Sequence, residues 1–230
     1  GKDPAYVRAD ADINHAIENL ADGALFNSGQ SCCGIERIYV DKKIYKEFID
    51  GFKSITENYN LNDPSKSDTN LGPVVRQSAA DFIRTQMKEA ENEGAKRLIE
   101  ESKFTISKED NCYVCPQVMV DVNHDMRFMM EETFGPAVGI MPVNNEEEAK
   151  NLMNDSPYGL TASVWTKDTE FAKDFGKSIE TGTFFMNRCD YLDPALAWTG
   201  VKDTGIGCSL STLAFDQFTR PQSFHIRKVI

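Results

Sequence analysis

Basic residues are in short supply in this chain. Twenty-five Lys and Arg stand against 36 Asp and Glu, a formal net charge of −11. A protein that grips phosphates needs a basic surface, so no nucleic-acid partner is expected. No apolar run approaches the ~20 residues that cross a bilayer, so no membrane partner is expected either. The first residues, Gly1-Lys2-Asp3-Pro4, are charged and lack the apolar stretch of a secretory leader. They also lack an initiator methionine, which makes a segment of a longer protein the expectation. Six cysteines in 230 residues are too few for a disulfide framework. Cys112-Tyr113-Val114-Cys115 has the spacing of a metal or redox pair, but it lies in an extended run where residues three apart point to opposite faces. With no second such pair and no suitably spaced histidines, no metal site is expected. A reducing, cytoplasmic compartment fits this cysteine usage.

Helical and strand patterns alternate along the chain. Ile13, Ala16, Ile17, Leu20, Ala21 and Ala24 recur at helical spacing behind Asp10 or Asp12 as N-cap. Residues 35–40 read as a buried strand. Ile44, Tyr45, Phe48, Ile49 and Phe52 mark a second helix started by Asp41, and the polar stretch 62–73 reads as a loop. A third helix is expected over 75–93, stopped by Gly94. Further strands are expected at 97–99, 113–120, 138–143, 160–165 and 183–187, with helices at 145–154, 169–180 and 209–218. The tail, 223–230, alternates like a last strand with no cleanly apolar face, which suits edge pairing with another chain. Such alternation implies an α/β fold with a largely parallel sheet, divided into one domain over 1–222 and the terminal strand 223–230.

Asn27-Ser28-Gly29-Gln30-Ser31-Cys32-Cys33-Gly34 places a thiol between a helix and a strand, with glycines at 29 and 34 that let the backbone bend. A partly exposed thiol close to oriented N–H groups is a good nucleophile. A packed, inert cysteine is nevertheless the commoner fate. Glu131 and Glu132 have an equally plain reading as a solvated helix end.

Taken with Phe26 and Arg37, this segment resembles the active-site signature of the aldehyde dehydrogenase superfamily. Glu131-Glu132-Thr133-Phe134-Gly135-Pro136 resembles the same family's Glu-Glu-x-Phe-Gly-Pro motif. The likeness continues through Asp155-Ser156-Pro157-Tyr158-Gly159-Leu160, Thr181-Gly182-Thr183 and Asn187. It implies a three-layer α/β/α catalytic domain with Cys32 as nucleophile and its backbone N–H as oxyanion donor. Glu132 and Phe134 would hold the ribose and ring at the nicotinamide end of NAD or NADP. Phe26, Asn187, Tyr191 and Leu192 would line the pocket for a small-molecule aldehyde, and the whole protein would be a homodimer or homotetramer. The reaction implied is oxidation of an aldehyde to a carboxylic acid through a thiohemiacetal and a thioester on Cys32.

There are departures from the family pattern. Cys208-Ser209 stand where relatives often carry Arg-Glu. Gly1-Lys2 resembles the end of a Glu-Leu-Gly-Gly-Lys string that holds the family's general base, so the base and the dinucleotide-binding domain are expected outside these residues. Gly205-Ile206-Gly207 lacks the third glycine of a dinucleotide fingerprint. Two other readings stay open: a Cys-His acyl-transfer enzyme pairing Cys32 with His15, His124 or His225, and a non-enzymatic relative that keeps only the fold.

Overall fold

The computed structural model describes residues 1–229. In chain order the strands are β1 (Asp3–Val7), β2 (Ile35–Asp41), β3 (Lys96–Arg97), β4 (Gln117–Val120), β5 (Ala137–Val143), β6 (Tyr158–Gly159), β7 (Thr161–Trp165), β8 (Thr183–Met186), β9 (Trp198–Thr199), β10 (Val201–Lys202) and β11 (Cys208–Ser209). Seven of them form one sheet in the order β3-β4-β5-β2-β1-β7-β8. Every pairing in it is parallel except β3 with β4 at the edge. The helices are α1 (Ile13–Leu25), α2 (Tyr45–Glu57), α3 (Gln77–Asn92), α4 (Arg127–Met130), α5 (Glu146–Asn154), α6 (Thr169–Gly176) and α7 (Phe215–Phe218).

Side-chain alternation assigns the layers. Ala5, Val7, Ile38, Val40, Val138 and Ile140 pack with α1 and α2 on one face. Tyr6, Tyr39, Ala162 and Val164 point to the other face, where α5 and α6 cover them, and Met119 and Ala137 meet α3 and α4 there. This is the three-layer α/β/α arrangement, with central strands buried on both faces as parallel sheets require.

Several elements have the expected local cause. The Asp12 carboxylate accepts from the His15 N–H at 3.2 Å and caps α1. Asn145 caps α5 in the same way, and Gly94 ends the α3 segment at φ 112°. Other expectations are corrected. Asp41 does not cap α2; its side chain takes the Lys43 N–H in the turn before it. The strand expected from 113 begins only at Gln117, because Pro116 has no N–H to donate. The helix expected to reach 180 stops at Gly176, and the one expected over 209–218 is reduced to a 3₁₀ turn and the four residues of α7. The strand β1, inside the sheet between β2 and β7, is not among the expected strands. Residues 223–229 pair with no strand among the described residues and are exposed, with Phe224 and Ile226 each more than three-quarters exposed. Ile230, the end of the expected terminal strand, lies outside the described residues.

Arg37 ties the sheet to its second layer. Its guanidinium is buried in β2, donating to Lys2 O at 2.9 Å and to the Leu152, Met153 and Asp155 carbonyls at 3.1–3.3 Å. A cation there satisfies the open carbonyls at the carboxyl end of α5.

Candidate active site

The thiol loop begins where α1 fails to continue. Asn27, Ser28 and Gly29 have φ of 51°, 57° and 71°, three consecutive residues in the left-handed region. Non-glycine residues resist that conformation by about 1–2 kcal/mol each, so the surroundings must hold it. Ser28 is buried and its hydroxyl donates to Gly72 O at 2.8 Å. The Gln30 side chain donates to Asn27 O at 3.0 Å and accepts from the Val75 N–H at 2.8 Å. The loop over 72–75 therefore braces the reversal. Gly34 has no left-handed backbone, so of the two glycines singled out only Gly29 supplies the bend.

After the reversal, the Gly34 N–H donates to Ser31 O at 3.1 Å, closing a turn with Cys32 and Cys33 at its corners. Cys32 is exposed and Cys33 is buried. Among the described residues the Cys32 N–H donates to no protein acceptor and is free for a developing oxyanion. The Cys33 thiol donates to Asp190 Oδ1 at 2.7 Å, and burial followed by this carboxylate pushes its pKa far up. Burial likewise pushes Cys115 and Cys189 up to about 12. Brief iodoacetamide treatment should therefore label Cys32 first and leave these three unmodified until the chain unfolds. Mass spectrometry reads the order, and earlier labelling of Cys33 or Cys208 would remove Cys32 as the reactive thiol.

The second motif comes to the same place. Glu131 closes α4 and pairs with Arg127, the solvated helix end of the plainer reading. Glu132 does not follow it: its carboxylate is half-buried and lines a groove. Phe134 sits at φ 50° with its ring 40% exposed. A carboxylate and an aromatic face thus line an open groove of about 510 Å³ with Gln30, Val75 and Phe82. Such a pair suits a ribose diol and a flat ring, so these residues fit the nicotinamide end of NAD(P). Gly29 and Gly135 join the two motifs: a β-carbon at either would overlap its neighbour, the Gly135 carbonyl or the Ile83 side chain. A larger concavity of about 800 Å³ beside α3 lies elsewhere, and its Arg97 is already paired with Glu91 and Glu101.

The pocket residues are only partly brought together. Phe26 is 58% exposed at the start of the reversal. Tyr191 and Leu192 are exposed just beyond Asp190, with the Arg188 guanidinium 3.6 Å over the Tyr191 ring. Asn187 has a structural task of its own. Its side chain exchanges hydrogen bonds with the Thr166 backbone at 2.9 and 3.0 Å, at the carboxyl end of β7, whereas Cys32 precedes the amino end of β2. It locks β7 to β8. No histidine nitrogen bonds Cys32 among the described residues. His15 meets Asn187 O, and His124 lies between Tyr39 and Asp155, held below its ordinary pKa mainly by burial. The Cys-His reading has no geometric support. Asp190, Lys2 and Glu36 were not found from sequence. Glu36 left one signal: with Arg37 beside it, it puts adjacent opposite charges inside a strand that reads as buried.

Residues 1–224 match the aldehyde dehydrogenase family. The chain is 31% identical over 230 residues to aldehyde dehydrogenase [NAD(P)+] 1 of Saccharomyces cerevisiae, covering 98% of this chain and 46% of that protein. It superposes with a TM-score of 0.88 on betaine aldehyde dehydrogenase from Staphylococcus aureus, solved with NAD+, at 29% identity over 95% of this chain and 43% of the other. NADP-dependent glyceraldehyde-3-phosphate dehydrogenase from Bacillus halodurans, solved with NADP, gives 0.84 at 33% identity, covering 91% and 43%. The chain spans less than half the length of these relatives. No helix among the described residues is long and apolar enough to cross a membrane. The motifs, the sheet order and these likenesses agree: the chain belongs to the aldehyde dehydrogenase family.

Proposed function

We propose that this chain is the cysteine-bearing catalytic part of a longer NAD(P)-dependent enzyme that oxidises an aldehyde to a carboxylic acid. The observation that carries this reading is the packing of the loop that bears the exposed Cys32 against the loop of Glu132 and Phe134 at the Gly29–Gly135 contact. The Cys32 thiolate attacks the carbonyl carbon, the C–S bond forms, and the carbonyl electron pair moves to an oxygen that the Cys32 N–H stabilises. NAD(P), when bound, accepts the hydride that leaves that carbon, and water then hydrolyses the Cys32 thioester to acid and thiolate. Glu132 orients the ribose hydroxyls and Phe134 lies against the ring. Phe26, Tyr191 and Leu192 line the approach of the aldehyde, supported by their exposure next to the thiol loop.

The base that activates the hydrolytic water and the domain that binds the rest of the dinucleotide lie, in this reading, outside the 230 residues. Support comes from the share of the relatives that the chain spans and from the absence, among the described residues, of a strand–glycine turn–helix unit. The exposed apolar side chains of 223–229 support assembly as a homodimer or homotetramer through that segment. The test is conversion of a panel of aldehydes by the natural full-length polypeptide, with NAD and then NADP. Acid should form, and Cys32→Ala should abolish it while Cys33 remains. Undiminished turnover in Cys32→Ala would overturn the assignment.

A further inference from the structure

The loop that carries Glu132 and Phe134 is gripped from below by one buried side chain. Glu36 is 4% exposed in β2, just after the thiol turn. Its Oε2 accepts from the Thr133 N–H at 2.8 Å and its Oε1 from the Phe134 N–H at 2.9 Å. Two successive N–H groups aimed at one carboxylate form an anion nest, and this one leaves Phe134 in the left-handed region. The charge is balanced by Lys2, also buried, whose ammonium reaches Glu36 Oε2 at 2.6 Å and Thr133 Oγ1 at 2.9 Å. The backbone carbonyl of Lys2 in turn accepts from Arg37. A buried pair of this kind contributes little net stability against apolar side chains of the same size, so packing alone does not account for it. Its geometry does something else: it fixes the two peptide planes that aim Glu132 and Phe134 into the groove.

We propose that Glu36, with Lys2 as its buried counter-ion, is a positioning residue that sets the Glu132–Phe134 loop in the conformation that binds the nicotinamide end of the dinucleotide. The inference rests on the function proposed above. Glu36 touches neither cofactor nor substrate; it acts through the two N–H groups. Because the same strand emerges from the Cys32 turn, the pair also keeps the loop in register with the thiol.

The test uses the natural full-length polypeptide and three readouts: Kd for NAD or NADP, Kd for ADP, which lacks the nicotinamide ribose, and hydrogen exchange of the Thr133 and Phe134 amides. In the wild type those two amides should be protected. Glu36→Gln places an amide NH2 where an acceptor is needed. It should raise the dinucleotide Kd about tenfold, the equivalent of about 1.4 kcal/mol. It should leave the ADP Kd unchanged and speed exchange at both amides. Should Glu36→Gln fail to fold, Glu36→Asp decides: it keeps the charge opposite Lys2, but its shorter arm spans only one of the two N–H groups, so the same split between NAD and ADP should appear in weaker form. Glu132→Ala separates the two ideas. If it weakens NAD binding while folded Glu36 variants change neither NAD affinity nor exchange, the positioning role is overturned and the function stands. If the wild type binds neither dinucleotide, both fall together.

Discussion

The 230-residue chain, purified by itself and given a reactive aldehyde with NAD, is expected to form NADH no faster than the uncatalysed mixture. Holding reacting groups in contact is worth ~7–11 kcal/mol of barrier, and only a firmly bound cofactor brings that advantage. In the proposed reading Glu132 and Phe134 reach one end of it. The pyrophosphate needs N–H groups at a helix N-terminus behind a glycine turn. The nearest match in sequence, Gly205-Ile206-Gly207, lies between the two-residue strands β10 and β11, with no helix beginning there. In the proposed reading the general base is a second deficit: among the described residues no carboxylate bonds Cys32, and Asp190 is held by Cys33 and Ser31. A missing base slows hydrolysis of a thioester by ~10²–10⁴-fold. Cys32 should still react with aldehydes and alkylating agents, because its turn is built within the chain. The measurement is absorbance at the NADH band alongside calorimetric titration with NAD. Robust turnover or micromolar binding would show that the chain is sufficient by itself and that the division proposed here is wrong.

The substitution Gly29→Ala is expected to be the most damaging single methyl group that can be added near the site. Gly29 has φ 71°, and its missing side chain is the space into which the Gly135 carbonyl fits. The left-handed backbone costs Ala about 1–2 kcal/mol. Forcing apart two packed backbones costs about 1–3 kcal/mol more. A loss of about 3 kcal/mol follows from the two together, roughly 6–12 °C in Tm for a chain of this size. The contrast is Gly94→Ala, where φ is 112° but no atom lies within 4 Å of the new carbon. It carries only the conformational cost, about 1–2 kcal/mol. Urea unfolding of both variants checks the difference. In the full-length polypeptide, Gly29→Ala should also lower kcat about 10²-fold, since it moves the thiol turn away from the Glu132–Phe134 loop. Equal stability losses at Gly29 and Gly94 would mean that the two motifs do not meet as described.

Local chemistry wrote much of this molecule legibly into its sequence. A 3.6-residue period with Asp12 ahead of it is enough to specify α1, because capping and burial are decided within one turn. Asn145 and Gly94 mark helix ends for the same reason. Cys32, Glu132 and Phe134 were legible as residues, since each sits in a motif whose neighbours are glycine or proline. What the sequence did not show is whatever depends on a distant partner. β1 is five residues beginning Asp3-Pro4, buried on both faces, so it has no alternation to betray it; it exists because β2 and β7 pair with it from either side. The glycine at 176, where α6 ends, is required by the Phe184 ring, which leaves no room for a side chain there. The tie between the Asn187 amide and the Thr166 backbone joins residues that lie 21 positions apart. The left-handed run at 27–29, the grip of Glu36 on two N–H groups and the burial of Lys2 are decided in the same way. Their cost is local, and the groups that offset it arrive from elsewhere in the chain. The sequence by itself determined which residues could do the chemistry; tertiary structure decided which of them face one another, because only packing can hold strained backbone and buried charge in place.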